Sequence, residues 1–212
     1  MYMPPNSDLQ FIPPPAGTHV AICYRVIDLG TQQVEWQGSI KHQRKVLISW
    51  ELPDEMMDDG RPFTVNQRYT LSSHEKSKLR KDLESWRGKK FTDADFGPGG
   101  FDIKNIIGKA CLLSIVHNEK DGKVYANINS VSAVPKGMAG QAPKPVNGTM
   151  YFSLADKPLD AATFDKLTEG VKTAIKLSPE YSEHFRSGTE PPSPSPNDYG
   201  AQRDDLDDEI PF

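Results

Sequence analysis

RPFTVNQRYTLSSHEKSKLRKDLESWRG, residues 61–88, decides the reading of the fold. Its first twelve residues alternate. Phe63, Val65, Tyr69 and Leu71 share one face, and Thr64, Asn66, Arg68 and Thr70 share the other, which is the period of a half-buried strand. The period then changes. Over residues 74–87 Leu79, Leu83 and Trp86 fall at i, i+4 and i+7 among good helix formers. This predicts a helix, with Ser73 as its N-cap and Gly88 as its end.

Two strands precede this stretch and two follow it. Residues 16–29, GTHVAICYRVIDLG, are dense in β-branched and aromatic residues and read as the first strand. Residues 44–52, RKVLISWEL, read as the second, with Val46, Ile48, Trp50 and Leu52 on one face. Between them residues 30–43 carry Gly30, Gly38 and an isolated Trp36, and are expected to form a loop or a mobile hairpin. Downstream, residues 109–117 and 123–134 read as the fourth and fifth strands, joined by the hairpin signal Asp121-Gly122. Three strands, a helix and two strands is the order of an OB-fold, so the class is mostly β with helices, built as a five-stranded Greek-key barrel.

The remainder divides by composition. Residues 1–15 form an extended Pro-rich arm, and residues 16–150 the barrel domain, ending in a Pro-, Gly-, Lys- and Ala-rich excursion. Residues 151–187 hold a short strand, YFSL at 151–154, and a helix over 159–177 with the stripe Phe164, Leu167, Val171, Ala174 and Ile175. Ser178-Pro179-Glu180 starts a second short helix. This segment is expected to pack on the barrel. The competing use of its stripe is self-association, so a homo-oligomer stays open. Residues 188–212 are a Pro/Ser spacer and an acidic tail, expected to be disordered.

The chain has 212 residues and a net charge of −4, but the charge is uneven. Residues 188–212 hold one Arg and seven acids, a balance of −6; residues 1–187 hold 24 basic and 22 acidic residues, a balance of +2. A body that can meet a polyanion carries a tail that cannot. The sequence contains no run of about eighteen apolar residues and no leader pattern at its start, and Cys23 and Cys111 sit in apolar runs. A reduced, cytoplasmic protein without a membrane span, a disulfide or a zinc site is expected. The five histidines are scattered, and no phosphate loop, Gly-x-Ser-x-Gly or cysteine pair appears. No enzyme, cofactor or metal is expected; the acids at Asp54, Glu55, Asp58 and Asp59 read as a solvated turn.

Binding chemistry is better represented. Capture of a single nucleic-acid strand needs cations for phosphates and flat rings for bases, and an OB-fold offers both on strands two and three and in the adjoining hairpins. Those places hold Trp36, Lys41, His42, Arg44 and Lys45; Arg61, Phe63, Arg68 and Tyr69; and Lys120, Lys123 and Tyr125. Trp36 is the leading stacking candidate, because Glu35, Gln37 and Gly38 give it no apolar face to join. Tyr125 alternates with Val124, Ala126 and Ile128 and should point outward. Phe63 and Tyr69 lie on an apolar face, where a core role competes with stacking. The basic residues around 76–90 read as a solvated helix face.

The chain ends DDLDDEIPF: Asp204, Asp205, Leu206, Asp207, Asp208, Glu209, Ile210, Pro211, Phe212. A restricted Pro next to an aromatic ring and a free carboxylate suits an apolar pocket rimmed by Lys or Arg. This ending resembles the acidic tip of bacterial single-stranded DNA-binding proteins, which recruits replication and repair enzymes. The wider pattern KHQRKVLISWEL…RPFTVNQRYTLSSHEKSKLRKDLESWRGKKF…NIIGKACLL is similar to small bacteriophage proteins associated with single-strand binding, over most of residues 17–134. The resemblance implies an OB-fold body that coats single-stranded DNA in phage replication, recombination or repair inside a bacterial host. It also implies a tail that recruits DNA enzymes; the opposite charges of tail and body lead to the separate expectation that the tail competes with DNA for the basic groove. The rival reading is an interaction protein whose tail mimics a host tip to hijack or inhibit repair enzymes without coating DNA.

Overall fold

A computed structural model describes residues 12–138 and 143–185, and the architecture follows from one strand that two neighbours share. β1 (Gly17–Trp36) pairs with β4 (Ala110–Lys120) through its first six residues and with β2 (Ser39–Met56) from Ile22 onward, antiparallel in both cases. Only Ile22 belongs to both ladders, and a register shift follows between Cys23 and Arg25. A bulge there bends the strand and increases its twist. β3 (Pro62–Thr70) pairs with β2, and β5 (Lys123–Ser132) with β4, giving the order β3-β2-β1-β4-β5. β6 (Met150–Phe152) lies parallel to β1 at Arg25–Ile27.

The protein is thus mostly β with a few short helices. A closed five-stranded barrel would also join β3 to β5. Those end strands approach each other, but among the described residues no ladder connects them and the sheet stays open.

The inner face follows the period of two. Val46, Ile48, Trp50 and Leu52 of β2, Val65 and Tyr69 of β3, and Cys111, Leu113 and Ile115 of β4 form the main core. α1 (Lys78–Arg87) closes it with Leu79, Leu83 and Trp86. The Trp50 ring centroid lies 6.0 Å from that of Trp86 and 6.5 Å from that of Tyr69. Each large ring removed from water stabilises the fold by about 2 kcal/mol or more. The Trp86 indole donates to the Ala110 carbonyl at 2.8 Å, tying helix to sheet.

Several expectations need correction. The N-cap of α1 is Ser77, whose hydroxyl accepts from the Arg80 amide, rather than Ser73, because residues 74–77 make their own turn first. Of the two readings of residues 30–43, a loop or a hairpin, the hairpin holds: β1 and β2 continue as a two-stranded ribbon to a tight turn at Gln37-Gly38. Both turn residues have positive φ, 49° and 74°, as a two-residue hairpin turn requires. Asp121-Gly122 turns the same way with φ of 52° and 73°.

The expected helix over 159–177 is two, α2 (Ala161–Asp165) and α3 (Glu169–Lys176), followed by α4 (Pro179–Phe185). Their stripe is buried as expected. Phe164, Leu167, Val171 and Ile175 meet Phe152, Leu154 and the outward-facing Ile27, Leu29 and Leu47 in a second apolar cluster. The same segment is pinned at Glu51, which is fully buried and accepts from the Val146 and Asn147 amides at 2.7 and 2.8 Å and from the Asn147 side chain. The described end of the N-terminal arm is held too: the Pro14 and Pro15 carbonyls lie 2.7 and 3.0 Å from His117 Nε2 and His19 Nε2.

Candidate nucleic-acid interface

The β1–β2–β3 register decides which side chains face outward together. Arg25 stands opposite Ser49 and Asn66, Ile27 opposite Leu47 and Arg68, and Gly30 opposite Lys45 and Thr70. The C-terminal segment covers the apolar pair Ile27 and Leu47; around it Ser49 is buried, Arg25, Lys45 and Thr70 are half-buried, and the β3 positions Asn66 and Arg68 face water. Arg25 lies over Ser49 and donates to its hydroxyl at 3.0 Å and to the Asn66 side-chain carbonyl oxygen at 3.3 Å, which ties the guanidinium to β2 and β3. Lys45 donates to Thr70 at 3.0 Å, and Thr70 donates to Gln43 at 3.0 Å. Asn66 and Arg68 are exposed. The result is a strip of cations and amides, Gln43, Lys45, Arg25, Asn66 and Arg68, across three strands. An anionic backbone lying on it would meet two cations, Arg25 and Lys45, already held by hydrogen bonds to the sheet.

The predicted residues divide against this strip. Lys45 and Arg68 belong to it. Lys41 and His42 are exposed farther along the ribbon. Trp36 ends β1 opposite Ser39, and its side chain lies outside the described atoms. Lys120, Lys123 and Tyr125 share the outer side of the β4–β5 hairpin by register, with Tyr125 half-buried opposite Asn118.

Four residues have packing or polar partners of their own. Tyr69 is a core residue, 3 % exposed, with its hydroxyl donating to Asp82 at 2.8 Å. Burial, then the Asp82 carboxylate, pushes its phenol well above the usual value. Phe63 packs half-buried against the same core. Arg44 is bound to the buried Asp28 through both Nε and NH2, and this pairing raises its already high basicity. Asp28 also accepts from the Gly30 and Leu154 amides, so Arg44 neutralises a structural carboxylate. Arg61 folds onto Asp59 at 2.6 and 2.8 Å. The tail residues Asp204, Asp205, Asp207, Asp208, Glu209, Ile210, Pro211 and Phe212 lie outside the described residues.

Sequence reasoning did not single out Arg25 and Asn66, which the register brings beside Lys45 and Arg68. The available signal was Arg25 itself, a lone cation within AICYRVIDLG. Both cysteines are buried and unpaired, as expected. Burial pushes the Cys23 thiol up to about 12. Among the described residues no group of three or more His, Cys, Asp or Glu side chains is placed to hold a metal, and no helix is long and apolar enough to cross a membrane.

No protein-family model matches the chain, and no curated protein is similar enough to match it.

Proposed function

We propose that this protein binds single-stranded DNA without sequence preference, on an OB-fold body, and that its acidic end recruits DNA replication and repair enzymes. The observation that carries the reading is the strip of Arg25, Lys45, Asn66 and Arg68 on the outer side of β1–β3, where an OB-fold holds its ligand. The strand order, the shared and bent β1, and the approach of β3 to β5 support the OB-fold. The exposed Lys41 and His42 and the sequence position of Trp36 extend the strip along the β1–β2 ribbon. Cations then track phosphates while rings take bases. The resemblance to bacteriophage and bacterial single-strand binders places this activity in replication, recombination or repair, in the cytoplasm of a bacterial host.

The test is to replace Arg25 and Arg68 singly by Ala and titrate each variant with labelled oligo-dT at several salt concentrations. Each loss should weaken binding and lower the salt slope by about one. Two variants with wild-type affinity and slope would remove the strip from the reading.

One observation favours the rival. α2–α4 and residues 146–147 cover Ile27, Leu29, Leu47 and Glu51 on the outer side of β1–β2, so only part of that surface is open. If the body does not hold DNA, the acidic end acts alone as a mimic that occupies host repair enzymes.

A further inference from the structure

The surface beside α1 carries a feature that single-strand binding does not use. α1 and the segment after it line two adjoining grooves that share Leu83, Phe91 and Phe101. One, about 330 Å³, is lined by Leu71, Leu79, Leu83 and Phe96; the other, about 380 Å³, by Trp86, Ile106 and Ala110. Both lie in the size range of small-ligand sites. Phe91, Phe96 and Phe101 already stack on one another, with centroids 4.9 and 5.0 Å apart. Leu71 leaves two-fifths of its surface in water.

The rim is cationic. Arg80 lies over the Phe96 ring at 5.2 Å, with its Nε on Glu84 at 2.9 Å and NH1 on the Ser73 carbonyl at 2.8 Å, and Arg87 lies over the Phe91 ring at 4.4 Å. Arg87 gives one nitrogen to Asp95 at 2.8 Å, while its other terminal nitrogen, NH1, is buried and has no acceptor. A buried donor without a partner is costly, and a carboxylate reaching it would remove that cost. Lys109 stands exposed on the second groove. Over residues 76–109 the sequence has nine basic and five acidic side chains, a balance of +4.

We infer that these grooves take up this chain's own residues 204–212, with Ile210 and Phe212 entering the apolar grooves and the acids Asp204–Glu209 lying along Arg80, Arg87 and Lys109. Three observations select that occupant. The grooves need apolar and aromatic side chains, and the segment ends in Ile-Pro-Phe. The rim needs acids, and residues 188–212 have a balance of −6. The length suffices: at about 3.3 Å per extended residue, residues 186–212 span up to roughly 90 Å from the end of α4, more than twice the width expected of a body this size. The grooves share no residue with the Arg25–Arg68 strip, so the contact does not depend on DNA binding. While docked, the Ile-Pro-Phe segment is withheld from other proteins.

Amide spectra of the ¹⁵N-labelled full chain, without DNA, test this directly. The double variant Ile210→Ala/Phe212→Ala should shift the amides of Leu83, Arg87, Phe91, Phe101 and Ile106 and leave those of Asn66 and Arg68 in place. Leu71→Asp, at a position already exposed, should reproduce the shifts on the groove side and release the amides of residues 206–212. Either result should be unchanged on tenfold dilution. Shifts confined to the Arg25–Arg68 strip, no shifts at all, or shifts that vanish on dilution and so report contact between copies would each overturn the inference.

Discussion

Replacing Gly30 by Ala should loosen the joint between the sheet and the C-terminal helices. Gly30 has φ of +72°, and a Cβ there would sit 2.4 Å from Ser178 Cβ, 2.5 Å from Ser178 Oγ and 2.9 Å from Leu154 Cδ1. The left-handed backbone costs a non-glycine residue about 1–2 kcal/mol. Overpacking of this severity adds about 1–3 kcal/mol, because Ser178 is fully buried and serves as the N-cap of α4. Together about 2–5 kcal/mol is lost, which for a chain of this length lowers Tm by roughly 5–15 °C. Gly38 is the internal control. Its φ is +74°, but a Cβ there meets nothing within 4 Å. Gly38→Ala should therefore show only the backbone part, about 1–2 kcal/mol. Thermal melts and urea titrations of both variants, with hydrogen exchange at Tyr181 and Ser182, measure the difference. Equal losses for the two variants would refute the claim that Gly30 is required by the close approach of Ser178.

Three further outcomes follow from individual contacts. Arg44→Ala should destabilise the protein by about 1–3 kcal/mol, since it strands the Asp28 carboxylate, the lower part of the range allowing for the exposure of Arg44; Arg68→Ala should leave the urea midpoint unchanged while weakening oligo-dT binding. Cys23 and Cys111 should resist alkylation at pH 8 in the folded chain and react at once in denaturant, because burial raises both thiols; fast native labelling would contradict their placement. Asp95 is held low by Arg87 and then by the Thr92 amide, and Glu84 by the Phe91 amide and then by Arg80. Depressed carboxylates stabilise the fold above their unfolded pKa, so stability should hold from neutral pH to about pH 4.5 and fall below it. Asp95→Asn should flatten part of that fall in urea midpoints recorded against pH.

The inner face of the sheet was legible because it is half of an alternation. Val46, Ile48, Trp50 and Leu52 show the period of two, and all four are buried. The covered outer face was less so, although a signal existed. VIDLG and KVLISWEL are nearly continuous apolar runs, which is the pattern of strands buried on both sides, and Ile27, Leu29 and Leu47 are the residues that the C-terminal helices cover. The ribbon over residues 30–43 was legible only as a loop or a hairpin, because most of both its faces meets water, so no burial pattern marks its strands, and Gln37-Gly38 is a weaker turn signal than Asp121-Gly122. The stripe at 164–175 predicted the buried residues correctly and their continuity wrongly. α2 and α3 face the same cluster, so the spacing survives the break between Asp165 and Glu169. Arg44 was read as a ligand contact, and Tyr69 as either core or stacking, because residue type alone cannot reveal a partner such as Asp28 or Asp82 on another element.

The most direct measurement of the central claim is a titration of the full chain with oligo-dT followed by tryptophan fluorescence, repeated from low to high salt and against a duplex of equal length. The chain has three tryptophans, and Trp50 and Trp86 are buried in the core, so quenching by a strand would report Trp36 at the end of the ribbon. The account predicts quenching, affinity that falls steeply with salt, and weaker binding to duplex. No binding at low salt, with or without residues 188–212, would contradict it and leave the acidic end as the functional part of the protein.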